Sequence, residues 1–564
     1  MDEKQKALLE ELLVSSEELP SFAKMLFFGV SRGEALFPYP RVPSKEEKDV
    51  EMLLKELDCL SSGPLDGAKI DRDEEIPKKL LQRLSELKIM GMTVGKEWGG
   101  MEMSQHAYCK VMERIARECA STVLFINAHH SIGLRGVLLF GTDEQQETYL
   151  KDLSTGKIWG AFALTEPGAG SDAGGIEAKA EYLPEKRAYC INGEKQWITN
   201  GSIAGLLTVM AKVKVGDEEK VTAFLVTPKM KGFSIKEKAL EKVGMRGTKT
   251  SILRFDNVMV PEENVLGPIG KGLRIALTIL DYGRVTFGAT CLGTAKFCLE
   301  KAVVHAKERE QFGRPLASFT LVKKKLAEAS AKIYAMEAMT YLLAGLLDKR
   351  EEDIMLEAAI LKVFNSEAGW DILYDTMQIF GGRSFFTDHP FERIMRDSRL
   401  NMIGEGSNDV LKAFIAVVGL REVGLSLDAV RKEPSSFFKW VKGQLKRLSV
   451  EVPAFAKGEL RPFAKRYAKD VRRFATANLR LLMKYREEVV EQQLELERVT
   501  TMVISLFARA AVLSRLASQE GDLEAGHLFL ELSQKEFDEA HASLGKSALD
   551  QKVEVHSDHL VERG

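Results

Sequence analysis

Between residues 60 and 155 apolar positions recur three and four apart, in LLQRLSELKIMGM, YCKVMERIARECAS and DEQQETYLKDL. That spacing puts one apolar stripe on each segment and predicts amphipathic helices. The stretch FPYPRVPS ahead of them reads as extended chain lying along the surface. From about residue 158 the pattern changes. WGAFALTEP, AYCINGEKQWIT, LLTVMAKVKV, VTAFLVTP and TSILRFDNVMVP are short β-branched and aromatic runs separated by Gly, Pro, Asn and Asp. They predict a compact antiparallel β domain ending near Gly267. Helical periodicity returns at Gly272, in LEKAVVHAKERE, LVKKKLAEASAKIYAMEAMTYLLAGLL and LEAAILKVFNSEAGWDILYDTMQIF, and continues beyond about residue 424. The predicted fold class is α+β and multidomain: an N-terminal helical domain (1–157), a central β domain (158–267), a helical bundle (268–423) and an additional C-terminal helical domain (424–564). No internal repeat or low-complexity tract interrupts this order.

Composition narrows the class. The chain has 564 residues, 45% apolar and 29% charged, with a formal net charge of −2. That balance suits a protein with a sizeable core and gives no reason to expect a nucleic-acid partner. The six cysteines (Cys59, Cys109, Cys119, Cys190, Cys291, Cys298) contain no C-x-x-C pair and fit a reducing compartment. No apolar run is expected to reach the roughly 20 residues of a membrane span. The opening MDEKQKALLEELL is acidic and helical, unlike a signal or transit peptide. The location expected is the bacterial cytoplasm, with peripheral attachment to the inner membrane open, or the mitochondrial matrix for a processed form.

Metal and nucleophile chemistry find little support. His129 and His130 are adjacent, so on a helix they point about 100° apart and share no ligand face. No H-x-x-x-H or H-E-x-x-H spacing and no G-x-S-x-G elbow occurs. TEPGAGSD (165–172) offers backbone N–H groups that suit a phosphate or a flavin edge, but an ordinary glycine turn is the commoner reading. WITNG (197–201) by itself reads as core packing. In NMIGEGSNDV (401–410) one carboxylate, Glu405, stands between two glycines just before a helix start. It is either a solvated acid in a turn or a base with clearance for something to approach it.

Together these motifs are more specific. FALTEPGAGSD, WITNG, GMRGTKTSILRFDNVMVPEENVLG, EREQFGRPLASF, QIFGG and GEGSND occur in the order and spacing of one family. Over about residues 20–420 the sequence resembles the acyl-CoA dehydrogenases, and its extended C-terminus is most similar to the very-long-chain branch. The resemblance implies an FAD-dependent oxidoreductase that dehydrogenates medium- to very-long-chain acyl-CoA to trans-2-enoyl-CoA in fatty acid β-oxidation. Glu405 takes the role of general base, with hydride transfer to flavin N5. Burial is expected to raise its pKa toward neutrality. Its backbone N–H and a ribityl hydroxyl would hold the thioester oxygen.

The other implied roles follow position by position. Phe162, Leu164, Thr165, Gly170 and Ser171 would line the isoalloxazine edge, with Ser171 also touching substrate. Trp197, Ile198 and Thr199 would cover the other side of the ring, and Arg309 would meet the pyrophosphate. Gln378, Ile379, Phe380, Gly381 and Gly382 would lie along the adenylate half across a homodimer interface. Ser407, Asn408 and Asp409 start a helix whose N–H groups suit cofactor phosphates. Asp281, Arg284 and Gly406 fall where the family binds acyl-CoA. Electron-transferring flavoprotein is the implied electron acceptor.

Departures from the family pattern qualify this. GGRSFF puts Ser384 where a glycine is usual, and Gly404 stands where an aromatic residue commonly precedes the base. Phe125, Ile126 and Asn127 are bulkier than residues that deepen a very-long-chain pocket, which argues against the longest substrates. Between Arg431 and Arg473 thirteen Lys or Arg stand against four acids, with Phe437, Phe438, Trp440, Phe455, Phe463 and Tyr467 interleaved. SSFFKWVKGQLKRLS reads equally as a peripheral membrane helix on anionic lipid or as a packed helix with a basic face. An acyl-CoA oxidase and a non-enzymatic assembly partner of respiratory complexes are the alternatives, the latter disfavoured by the presence of Glu405.

Overall fold

The computed structural model describes residues 21–350, 353–432, 452–545 and 547–563. The first helices are α1 (Phe22–Phe27), α2 (Glu47–Ser61), α3 (Gly67–Asp73), α4 (Lys78–Glu86), α5 (Gln105–Ala116), α6 (Ala120–Ile126), α7 (Arg135–Phe140) and α8 (Asp143–Ser154). Their starts follow local chemistry. Asp66 and Ser104 cap α3 and α5, and Thr142 with Gln145 forms a capping box on α8. Between α6 and α7 the expected α-helix gives way to a π turn over Asn127–Gly133. Such insertions concentrate at functional sites.

The β domain holds β1 (Trp159–Ala163), β2 (Lys179–Leu183), β3 (Ala188–Thr199), β4 (Ala204–Val215), β5 (Glu218–Val226), β6 (Phe233–Glu237), β7 (Thr250–Pro261) and β8 (Val265–Leu266). The order is β6-β7-β3-β2-β4-β5-β8, with β1 beside β4. This sheet is mixed rather than purely antiparallel. β1 pairs β4 in parallel, with Phe162 opposite Thr208, because β1 enters from the helical side and the chain crosses the sheet before β4. One face packs on Leu134, Val137, Leu273 and Ile279 of the flanking helices, and the other encloses its own core around Phe224, Leu253 and Val258.

The helical body follows: α9 (Gly272–Glu308), α10 (Thr320–Lys349), α11 (Met355–Phe380), α12 (Phe391–Leu400) and α13 (Asn408–Lys432). Four further helices are α14 (Leu460–Tyr485), α15 (Gln493–Ala517), α16 (Leu523–Ser543) and α17 (Ser547–Arg563). Across the 423/424 boundary α13 runs on without a break. Residues 21–41 pack on the C-terminal helices as well as on α10 and α11, where Ser21 bonds Glu357 and Lys24 pairs with Asp353. Phe22 meets Phe507, Phe27 meets Phe474 edge-on, Ser31 bonds Tyr467, and Arg41 pairs with Glu520. Finally, Ala120–Phe140 and Gln493–Ala517 are long and apolar enough to cross a membrane, contrary to expectation. Both are mostly buried against protein, which is what makes them apolar all round.

The FPYPRVPS stretch lies at the surface except for Tyr39, whose buried ring sends its hydroxyl to the carbonyls of Glu337 and Ala338. Of the aromatics interleaved with the basic tail, Phe455 stacks on Phe37, Phe463 stacks on His527, and Tyr467 is buried. Those three are packing residues. Phe437, Phe438 and Trp440 lie outside the described residues.

Candidate active site

Glu405 lies in the turn between α12 and α13 with a left-handed backbone, φ +58°, followed by Gly406 at φ +98°. A non-glycine residue held there costs about 1–2 kcal/mol, so the surroundings must enforce it. They do so through backbone carbonyls. Arg284 Nε donates to the Glu405 carbonyl at 3.3 Å, and Lys362 Nζ donates to the Gly406 carbonyl at 2.7 Å and to Asn408 Oδ1 at 2.8 Å. Both cations are buried, so neither clamp is diluted by solvent.

The carboxylate itself is sparsely served. Oε1 accepts from Asn127 Nδ2 at 2.7 Å, and Oε2 is buried with no partner. The residue as a whole keeps some exposed surface, but that surface is not on Oε2. Burial pushes the pKa up to about 7, against the opposing pull of Arg284, Lys362 and the Asn127 bond. Room for Oε2 comes from Gly283: a Cβ there would lie 2.8 Å from Oε2 and 2.9 Å from Ile132. Among the described residues no backbone acceptor takes the Glu405 N–H. The site therefore presents a buried, half-satisfied carboxylate near neutrality beside a free backbone donor.

The loop after β1 forms the second part. Phe162 and Leu164 are buried, Thr165 is half-buried, and Gly170 and Ser171 are exposed. Glu166 anchors this loop by accepting from Lys195 Nζ at 2.6 Å, Glu177 N at 2.5 Å and Ala178 N at 3.1 Å. Lys195 also donates to the Leu164 carbonyl at 2.8 Å, and its pKa is lowered to about 8 by burial despite Glu166. Side chains added at Gly168 or Gly170 would meet nothing within 4 Å, so the loop leaves open space above it. On β3 a register shift between Lys195 and Ile198 turns Trp197 to φ +57°, 62% exposed, while Ile198 is buried and Thr199 half-buried. The bulge leaves the flat face of the indole open to solvent.

The two parts are mechanically joined. Asn200, buried and left-handed at φ +63°, donates to the Phe125 carbonyl at 3.0 Å. Phe125 lies two residues before Asn127, which holds Glu405. His129, in the same π turn, accepts from Gly160 N at 2.9 Å and is kept neutral by burial, its pKa lowered to about 4.

Other expected residues sit differently. Asp281 and Arg284 are buried and paired at 3.2 Å, and burial lifts Asp281 to about 7 against the Arg284 charge. They brace the Glu405 turn from behind. Asn408 turns inward to Lys362 and Ser366, and its N–H donates to the Met402 carbonyl, so its own N–H and amide are not offered to a phosphate. Ser407 is half-buried and Asp409 exposed. Arg309 is exposed at the end of α9, near the end of α11: His305 stacks on Phe380 at 4.1 Å, Gln378, Gly381 and Gly382 are exposed, and Ile379 is buried. Ser384 donates to the Met377 and Gly381 carbonyls, closing the last turn of α11 where a glycine was expected.

Comparison with known proteins decides the family. The domain descriptions "Acyl-CoA dehydrogenase, N-terminal domain", "middle domain" and "C-terminal domain" match residues 64–157, 161–258 and 270–420. The chain belongs to the acyl-CoA dehydrogenase family. The extension matches the ACAD9/ACADV C-terminal domain over residues 458–531. The very long-chain specific acyl-CoA dehydrogenase of Rattus norvegicus is 36% identical over 88% of this chain and 79% of its own length. A crystal structure of an acyl-CoA dehydrogenase complexed with FAD from Bacillus anthracis superposes with TM-score 0.77 at 28% identity, over 91% of this chain and 90% of that one. A solved structure described as the electron transferring flavoprotein of Acidaminococcus fermentans gives TM-score 0.62 at 31% identity, over 66% of this chain and 97% of that one. Family members are FAD-dependent dehydrogenases of acyl-CoA, and the open loop at 165–171 with the exposed Trp197 fits that cofactor.

Gly283, Lys362, Glu166 and Lys195 are the parts that sequence reasoning did not assign to the site, and Asn127 was expected only at the acyl pocket, not on Glu405. A lysine inside the apolar run EAAILKVFNS and one inside β3 were the available signals, since a buried cation needs a structural reason.

Proposed function

We propose that Glu405 is the base that removes the α-proton of a long-chain acyl-CoA thioester, giving the trans-2-enoyl-CoA. The observation that carries this is the unpartnered, buried Oε2 on a carboxylate raised to about 7. A base with that pKa is largely ionised in slightly alkaline solution and still basic enough to take a weakly acidic proton. The Glu405 N–H, held in direction by the Arg284 and Lys362 clamps on the flanking carbonyls, is available to the thioester oxygen as enolate charge develops. Phe162 and Leu164 are buried and keep the end of β1 apolar. Bound FAD supplies the two-electron acceptor.

Two of the three residues expected to shorten the acyl pocket are taken up in packing, and the third is held against Glu405. Phe125 packs edge-on against Trp159 at 5.1 Å, Ile126 is buried, and Asn127 is bonded to Glu405. That supports long acyl chains. An electron-transferring flavoprotein is the proposed acceptor. A homodimer is proposed to cover Gln378–Gly382 and the neighbouring Phe385 and Phe386, which are 81% and 65% exposed. Residues 435–449 are proposed to touch anionic lipid, on a protein of the bacterial cytoplasm or mitochondrial matrix. The test of the central reading is anaerobic flavin bleaching by a ladder of saturated acyl-CoAs. Rates should rise toward long chains. Bleaching by none of them would overturn the reading.

A further inference from the structure

A cleft of about 190 Å³, sharing no residue with the flavin and acyl-CoA residues, opens where four parts of the chain meet: residues 39–42, helix α5, helix α10, and the end of α15 with the turn that follows it. A cavity of about 150 Å³ takes a benzene-sized molecule, so this one suits a ligand of a few carbon atoms. It exists only because the C-terminal extension docks, since Arg515 and Glu520 form one wall.

Its charges do not balance. Two carboxylates, Glu337 and Glu520, line it, a third, Glu113, bonds the Tyr341 hydroxyl, and each is already claimed. Glu113 holds Lys296 at 2.7 Å and the Tyr341 hydroxyl, Glu337 holds Lys296 at 2.8 Å and Arg515 at 2.7 Å, and Glu520 holds Arg41 at 2.5 Å. Lys110 is the lining cation with no hydrogen-bonded carboxylate, only a long ion pair to a Glu337 already shared by Lys296 and Arg515. Its Nζ lies 3.8 Å from Glu337, beyond hydrogen-bond range, and 3.8 Å over the Tyr341 ring. His106, stacked on the same ring at 4.6 Å, is only 4% exposed, and its Nδ1 has no partner. Arg515 Nε is likewise buried and unpartnered. Burial lowers the pKa of both Lys110 and His106, His106 to about 3, so the protein alone stabilises charge poorly here.

We propose that this cleft binds a small oxyanion, a carboxylate- or phosphate-bearing metabolite, through Lys110 and His106. One negative charge would complete the cluster and rivet the C-terminal extension to the helical body. The probes are inorganic phosphate and malonate, against chloride at equal ionic strength, on the full-chain FAD-loaded protein. Each anion that binds should raise the melting temperature by a few degrees, and the stronger of the two identifies the headgroup. Lys110→Met keeps the aliphatic stem on Tyr341 and should weaken binding at least tenfold, whereas Lys110→Arg should retain it. Equilibrium dialysis of phosphate and malonate against the unaltered protein is the second readout, and stands if Lys110→Met does not fold. One equivalent per chain supports the site. No shift and no bound anion overturns the proposal, and a shift undiminished in Lys110→Met assigns the binding to another site and overturns it too.

Discussion

Glu166 and Glu405 are both acids in glycine-rich turns, TEPGAGSD and GEGSND, and both turn inward. Their surroundings differ in one respect. Glu166 meets a lysine ammonium and two backbone N–H groups, so both its oxygens are served. Glu405 meets one amide, while the nearby Arg284 and Lys362 direct their hydrogen bonds at carbonyls instead. Burial with full pairing makes an anchor. Burial with incomplete pairing leaves an ion that is costly to keep charged, which is the property a general base needs.

The largest effect expected is on Glu405→Gln. Flavin reduction in anaerobic stopped-flow should fall by at least about 10²–10⁴-fold, with FAD content unchanged. Near-normal reduction would remove Glu405 from the chemistry. The same variant should be more stable. A carboxylate whose folded pKa of about 7 lies above its unfolded value destabilises the fold at pH above 7, and contributes nothing at pH below the ordinary carboxylate value. At pH 8 the denaturation midpoint should rise by the equivalent of on the order of 2 kcal/mol, and at pH 4 the two proteins should coincide.

Glu166→Gln should act in the opposite direction. It leaves the Lys195 ammonium buried with a carbonyl as its strongest partner, which costs about 3–5 kcal/mol and should loosen the 165–171 loop enough to lose FAD on gel filtration. Equal stability of Glu166→Gln and the parent would dissolve the contrast between the two acids. Asn127→Leu sharpens it. Removing the one donor that favours ionised Glu405 should raise its pKa further, moving the acid limb of kcat/KM about one unit to the alkaline side. A limb that moves toward acid contradicts the geometry. Smallest is Asp409→Asn: Asp409 is exposed, and both stability and flavin reduction should stay within about 0.5 kcal/mol of the parent.

Much of the fold was legible from local pattern. The change from helical spacing to short β runs near 158 matches β1 starting at Trp159, and the return at Gly272 is the first residue of α9. The special backbone at Glu405 was legible because it stands between two glycines. Asn127 was not, because STVLFINAHHSIG has ordinary helical periodicity. The π turn that aims Asn127 at Glu405 is stabilised by contacts to β1, such as His129 with Gly160, from outside the segment. The association of residues 21–41 with the last helices was equally hidden. Phe27 finds Phe474 across more than four hundred residues of chain, and no local pattern encodes such a pairing.

By itself the sequence determined where helices and strands form, where backbone can turn left-handed, and which acids stand beside glycines. These depend on sterics and hydrogen bonds within a few residues. Only the tertiary structure decided that Glu166 would be neutralised by Lys195 and that Glu405 would keep a bare oxygen. A pKa depends on how much water is removed and which distant charges replace it, and both are set by packing between segments far apart in the chain.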